Sequence, residues 1–177
     1  MTASNEHLGP APHAYAFDIP LAKVKSAPIA EFDRYWNDKR RQGRLPGRAD
    51  IDPSELRTLL PNIVLLDLEP EPFRVRIRLV GTKIVQFRGD NTGKYLDQLV
   101  TMDPGRRDHY IAEMRVVAAR ARAAFACDQV VTRFGAVHEI YAGIWPLATD
   151  GHKVDKLVVI EDYGQLRVWQ LKPDEDA

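Results

Sequence analysis

From Ser26 onward the chain switches between two hydrophobic periods. Ile29, Phe32, Tyr35 and Trp36 recur at helical spacing, while Asp33, Asn37, Asp38 and Lys39 lie largely on the other side. This predicts a helix from Pro28, with Ser26 as cap and Gly43 as stop. Asp52-Pro53-Ser54-Glu55 reads as a second helix start, in which Asp52 caps, Pro53 fills the first turn and Glu55 favours the positive dipole end. Pro61 limits that helix. Residues 62–69 are rich in Ile, Val and Leu and read as a strand. The next strand, Phe73–Val80, alternates strictly: Phe73, Val75, Ile77 and Leu79 against Arg74, Arg76 and Arg78. A period of two predicts one buried and one wet face. Pro70-Glu71-Pro72 joins the two strands as a hairpin.

After Gly81, Thr82–Arg88 has room for about two helical turns, and Gly89-Asp90-Asn91-Thr92-Gly93 is a turn cluster. Tyr110, Met114, Val117 and Ala121 restore the helical period across residues 103–123. Three strands follow at 125–133, 138–147 and 154–163, with turns at Phe134-Gly135 and Asp150-Gly151. Two strands, helices, then three strands argue for an α+β fold with an antiparallel sheet, and against βαβ units. Residues 1–25 have no clear period and read as a flexible lead-in, with an extended piece at 14–19. The domain is expected at 26–165. Residues 166–177 form an arm or tail, with 166–171 as a short strand.

At 177 residues the chain suits one domain. Such a domain buries about 70% of its unfolded surface and needs no metal or disulfide to fold. Lys plus Arg balance Asp plus Glu at 25 each. The basic surplus of a nucleic-acid binder is therefore missing, and no nucleic-acid partner is expected. The single cysteine, Cys127, closes no internal disulfide, which fits a cytoplasmic location. No apolar run reaches membrane-spanning length, and no signal-peptide core precedes Ala14-Tyr15-Ala16.

Catalytic motifs are weak. Gly89 and Gly93 are one residue too close for a phosphate loop, and Tyr95 follows Lys94 where a hydroxyl residue should hold magnesium. His138-Glu139 opens like a zincin motif, but Ala142 replaces the second His and the segment reads as a strand. Cys127 sits in a strand run and reads as an inert thiol. One His can hold haem iron, and within the folded region His109 and His138 are the candidates; the default for either is a structural role. No cofactor is required by the sequence, although haem or a small metabolite is compatible with it. Arg40 and Arg44 match the Arg-x-x-x-Arg part of cyclic-di-GMP-binding PilZ domains. The companion element breaks off after Asp52-Pro53-Ser54, so a solvated helix end is the preferred reading.

Several strings resemble one family. They are Tyr35-Trp36; Leu45-Pro46-Gly47-Arg48-Ala49-Asp50-Ile51-Asp52-Pro53; Leu59-Leu60-Pro61-Asn62-Ile63; residues 73–82; Gly89 with Thr92-Gly93-Lys94; and His138-Glu139 through Trp145-Pro146-Leu147 to Asp150-Gly151. Together, over about residues 28–163, they resemble the single-domain PAS family common in alphaproteobacteria, the PAS_5 group. The resemblance implies a PAS-like fold: a five-stranded antiparallel sheet with helices packed on one face. It implies a sensory or interaction domain, usually a homodimer, which here would act through a separate signalling protein. It brings no catalytic residues and no agreed ligand.

Two functions compete within this class, and one outside it. A sensor would bind a small, largely apolar ligand between sheet and helices, with Phe87, Tyr95, Tyr110, Phe125, Tyr141 and Trp145 as candidate lining residues. A ligand-free interaction module would use Ile29, Phe32 and Trp36 as a dimer or partner surface, unless that stripe caps its own sheet. A cone-shaped α+β isomerase or hydrolase needs an acid or base deep in the cone. The inward strand positions read as apolar, so the chain is expected not to be an enzyme; replacing Asp128 or Glu139 tests this.

Overall fold

A computed structural model describes residues 16–131 and 137–164. The expectations for residues 1–15 (His7 and His13 among them), 132–133, the Phe134-Gly135 turn and 166–177 lie outside the described residues.

The elements follow the expected order. They are β1 (Ala16–Phe17), α1 (Ala27–Lys39), β2 (Ile63–Pro70), β3 (Phe73–Val80), α2 (Thr82–Arg88), α3 (Pro104–Arg120), β4 (Ala124–Val131), β5 (Val137–Leu147) and β6 (Lys156–Asp162). All strands join one antiparallel sheet in the order β1-β4-β5-β6-β2-β3. The sixth strand is β1, two residues of the lead-in that pair with Cys127 and Ala126 at the edge. Asp18 then anchors the entry by ion pairs to Arg120 (2.9 Å), the last residue of α3, and to Arg122 (2.6 Å) just beyond it.

Local chemistry sets the ends of the helices. Ser26 Oγ accepts from the Ile29 amide at 3.2 Å, and Asp103 accepts from the Arg106 amide at 3.0 Å, each satisfying an orphan N–H of a first turn. α1 ends before Gly43, because Gln42 and Gly43 take positive φ (50° and 76°) in a tight turn closed by Arg44 N–H to the Arg41 carbonyl. No regular helix follows Asp52. The Glu55 and Leu56 amides bond the Asp52 and Pro53 carbonyls three residues back, and the Asp52 carboxylate takes the Ser54 amide. A segment confined between Pro53 and Pro61 coils into tight turns that still bury Leu56 and Leu59.

Helices cover both faces of the sheet, not one. α2 and α3 lie on the face that carries Leu66, Ile144, Leu157 and Val159. α1 and the turns after it cover the opposite face, against Trp145, Leu147, Val158 and Ile160. The reason is legible in β6, whose Leu157 to Ile160 are all buried, as a strand covered on both sides requires. Ile29, Phe32 and Trp36 are 0%, 0% and 2% exposed. They are interior residues and offer no surface to a partner. The Trp36 indole donates to the Pro146 carbonyl at 3.0 Å, and the Trp145 indole donates to Asp33 at 2.9 Å, which locks α1 onto β5.

A bulge corrects one strand assignment. The register β2 to β3 slips between Leu65 and Leu66, so Arg78 has no partner of its own. Beyond it the faces exchange. Leu79 turns away from the α3 side and is 45% exposed, while Val80 takes the inward place.

Candidate ligand cavity

Strand parity decides what faces α2 and α3. On β4, Ala126 and Asp128 point there; on β5, Ile140, Ala142 and Ile144; on β6, Val159 and Glu161. The small side chains Ala126 and Ala142, directly paired, leave room. The result is a cavity of about 680 Å³ between the sheet and the two helices. Its roof comes from Ile84 and Arg88 of α2, Leu96, Leu99, Thr101 and Met102 of the connecting turns, and Arg106, Tyr110 and Met114 of α3. Tyr110 and Met114 sit one helical turn apart, so both reach the same wall.

Arg88, Arg106, Tyr110, Asp128 and Glu161 form one connected cluster in the cavity, and Asn91, Thr101, Asp103 and Glu113 also line it. Arg88 Nη1 pairs with Glu161 Oε1 at 2.6 Å, and the Tyr163 hydroxyl donates to Glu161 Oε2 at 2.6 Å. Arg106 pairs with Asp128, donates to the Gln129 carbonyl, and reaches the Tyr110 hydroxyl through Nε at 3.0 Å. Tyr110 in turn donates to the second Asp128 oxygen. Arg88 also hydrogen-bonds Tyr110, which joins the two groups. Glu113, 6% exposed, takes His109 Nε2 at 3.2 Å.

Burial and charge act together on these groups. Burial, then the Asp128 carboxylate, push the Tyr110 phenol up to about 12, against the opposing pull of Arg88 and Arg106. Burial and Glu161 hold the Tyr163 phenol far above its ordinary range. Burial disfavours the Arg88 cation, but Glu161, Tyr163 and Tyr110 outweigh it and raise its pKa. The cluster therefore holds neutral phenols and charged guanidiniums at neutral pH. Its two strand carboxylates, Asp128 and Glu161, are each ion-paired with a guanidinium, as buried charges require.

Of the six expected lining residues only Tyr110 faces the cavity. Phe125, Tyr141 and Trp145 have the opposite parity and pack on the α1 side, where Trp145 meets Phe32 (4.7 Å between centroids) and Phe125 (5.7 Å). Phe87 stacks on Tyr163 at 4.5 Å as core. Tyr95 lies under the Arg74 guanidinium outside β3 and donates to Glu69 at 2.6 Å. The expectation of apolar inward strand positions fails at Asp128 and Glu161. Sequence reading missed Arg88, Arg106 and Glu161. Two signals pointed to them: an acid at inward parity within each of β4 and β6, and Arg106 four residues before Tyr110 on one helix face.

The remaining motifs are absorbed by structure. The 89–94 cluster is a plain turn lashed to β3 by Gly93 N–H to the Ile77 carbonyl (2.7 Å) and Ile77 N–H to the Lys94 carbonyl (2.9 Å). Arg44 donates to the Asp150 carbonyl at 2.5 Å, and Arg40 lies over the Trp36 ring at 5.0 Å. Cys127 faces away from the cavity beside Tyr141; burial, then Glu139 and Asp128, raise its thiol pKa. Neither His109 nor His138 lines the cavity. Among the described residues no three His, Cys, Asp or Glu side chains converge as metal ligands, and no helix is long and apolar enough to cross a membrane.

An antiparallel sheet with helices roofing a cavity on one face defines a sensory domain fold of the PAS type. The family model PAS_5, described as "PAS domain", matches residues 24–160, and the chain belongs to that family. Among solved structures it is similar to "The light state structure of the blue-light photoreceptor Aureochrome1 LOV", at 14% identity and a TM-score of 0.42, covering 63% of this chain and 88% of that one. No curated protein matches it.

Proposed function

We propose that this chain is a non-catalytic sensory domain that binds a small, largely apolar ligand in the cavity and relays its presence by protein–protein interaction. The cavity carries this reading. Ligand sites combine apolar walls with a few convergent polar groups. Here aliphatic side chains surround one polar cluster built from Arg88, Arg106, Tyr110, Asp128 and Glu161. The proposal extends to a homodimer acting on a separate signalling protein in the cytoplasm, with residues 26–165 as the sensory unit. An enzyme of the cone-shaped kind has one observation in its favour, an acid inside the cavity. Against it, Asp128 is ion-paired with Arg106 and hydrogen-bonded by Tyr110, and Glu161 is ion-paired with Arg88 and hydrogen-bonded by Tyr163, which makes both weaker bases.

The test is solvent extraction of the purified protein, with mass spectrometry of the extract and an absorption spectrum of the protein. A stoichiometric small molecule is expected. An empty protein whose melting temperature no fraction of a metabolite extract raises would leave the interaction-only module. Sedimentation at high concentration examines the dimer separately, and a persistent monomer rejects it.

A further inference from the structure

The ligand's chemistry can be read from which hydrogen-bonding capacity the cavity has left over. On the acceptor side, each oxygen of the two strand carboxylates is engaged. Asp128 accepts from Arg106 and Tyr110, and Glu161 from Arg88 and Tyr163. Glu113 is held by His109 from the next turn of α3. On the donor side, among the described residues Arg88 is held by Glu161 and Tyr110, and its side chain keeps 20% of its surface accessible where it lines the cavity. A guanidinium presents more N–H donors than two partners use. Arg88 thus keeps N–H donors for a ligand oxygen, while the charges of Asp128 and Glu161 are already met by Arg106 and Arg88. A ligand oxygen can take those donors without breaking a bond, whereas a ligand amine would have to share carboxylates whose charge the guanidiniums already meet.

The walls restrict the rest of the molecule. Leu96, Leu99, Met102, Met114, Ile144 and Val159 are aliphatic or thioether surfaces, and thioethers adapt to irregular shapes. Tyr110 is the only aromatic among the described lining residues, and its hydroxyl belongs to the cluster. No pair of rings stands ready to sandwich a flat aromatic ligand.

Resting on the cavity-binding reading above, we propose that the cavity takes an aliphatic compound whose polar end is a carboxylate or carbonyl oxygen, received by the Arg88 guanidinium. The full chain, labelled at its Met and Ile methyls, is titrated with decanoate, methyl decanoate, decylamine and indole and followed by NMR. Decanoate or its methyl ester is expected to shift the methyls of Met102, Met114 and Ile144 saturably. Decylamine should bind at least tenfold more weakly than the better of these, and indole should leave the methyls unmoved. A tighter fit of decanoate assigns the head as carboxylate, and equal fit as carbonyl; both support the class. The double variant R88Q/E161Q keeps a neutral hydrogen-bonded pair and should weaken the acceptor-headed ligand at least tenfold. Should that variant not fold, R88K, which keeps the charge but loses the fork, should weaken it as well. Decylamine or indole binding as tightly as decanoate, or folded variants that bind it unchanged, overturns the ligand class and leaves the cavity reading standing. If none of the four compounds moves the cavity methyls, the ligand class falls, and the extraction test above decides the cavity reading by itself.

Discussion

Tyr110 and Asp128 are the side chains on which the cavity's polar cluster turns. Tyr110 holds its proton up to about 12, above the ordinary tyrosine value of 10.0, because burial and Asp128 penalise the phenolate. In the unfolded chain it would ionise first, so between these values the unfolded state binds fewer protons. Stability therefore falls as pH rises through this window, and Tyr163 adds to the loss with the same sign. Tyr110→Phe should give a shallower alkaline decline of the denaturant midpoint than the wild type; parallel declines would contradict it. Asp128→Ala leaves Arg106 as an uncompensated charge in a partly buried site and should cost about 3–5 kcal/mol, whereas a surface acid such as Asp97, ion-paired with Arg74, should cost at most about 1 kcal/mol on removal. Equal, small losses in urea unfolding would show that the cluster is not structurally coupled. The apolar reading of the inward strand positions failed here because a single acid does not disturb a hydrophobic pattern. Its parity with the inward apolar positions of the same strand is the signal that gives its face away.

At the scale of elements, the periodic signals were reliable where one rule acted alone. The stripe of α1, its Ser26 cap and the bounds of β3 and α2 were all readable, since spacing and capping chemistry decide them locally. Two features were not. The bulge at Arg78 depends on the partner strand, so an unbroken alternation placed Leu79 inside when it lies outside. The 53–59 segment carries a good helix start but too little length between prolines. Strand β5 also hides a packing device. Gly143 has no side chain, and the Trp145 indole fills the space a Cβ would take, 2.2 Å from its nearest ring atom. Gly143→Ala must displace that indole from Phe32 and Asp33. The expected cost is about 1–3 kcal/mol, with a changed tryptophan emission and an intact cavity, because Gly143 faces α1. Unchanged emission and stability would refute this packing.

For the whole molecule, the order of strands and helices was enough to indicate an antiparallel α+β fold, and the family match over residues 24–160 agrees with it. The site was less accessible. Aromatic residues were expected to line it, yet aromatics are drawn to whichever core is deepest, and here that lies under α1. The cavity instead exists where paired Ala126 and Ala142 leave space, an absence that no single residue type signals. The space above β4 and β5 is where the proposed small ligand is expected to sit. Native mass spectrometry of the wild type and of Ala142→Phe, purified side by side, measures it most directly. A retained small molecule is expected on the wild type and none on an equally folded variant whose cavity is filled. The same adduct on both proteins, or on neither, would contradict it.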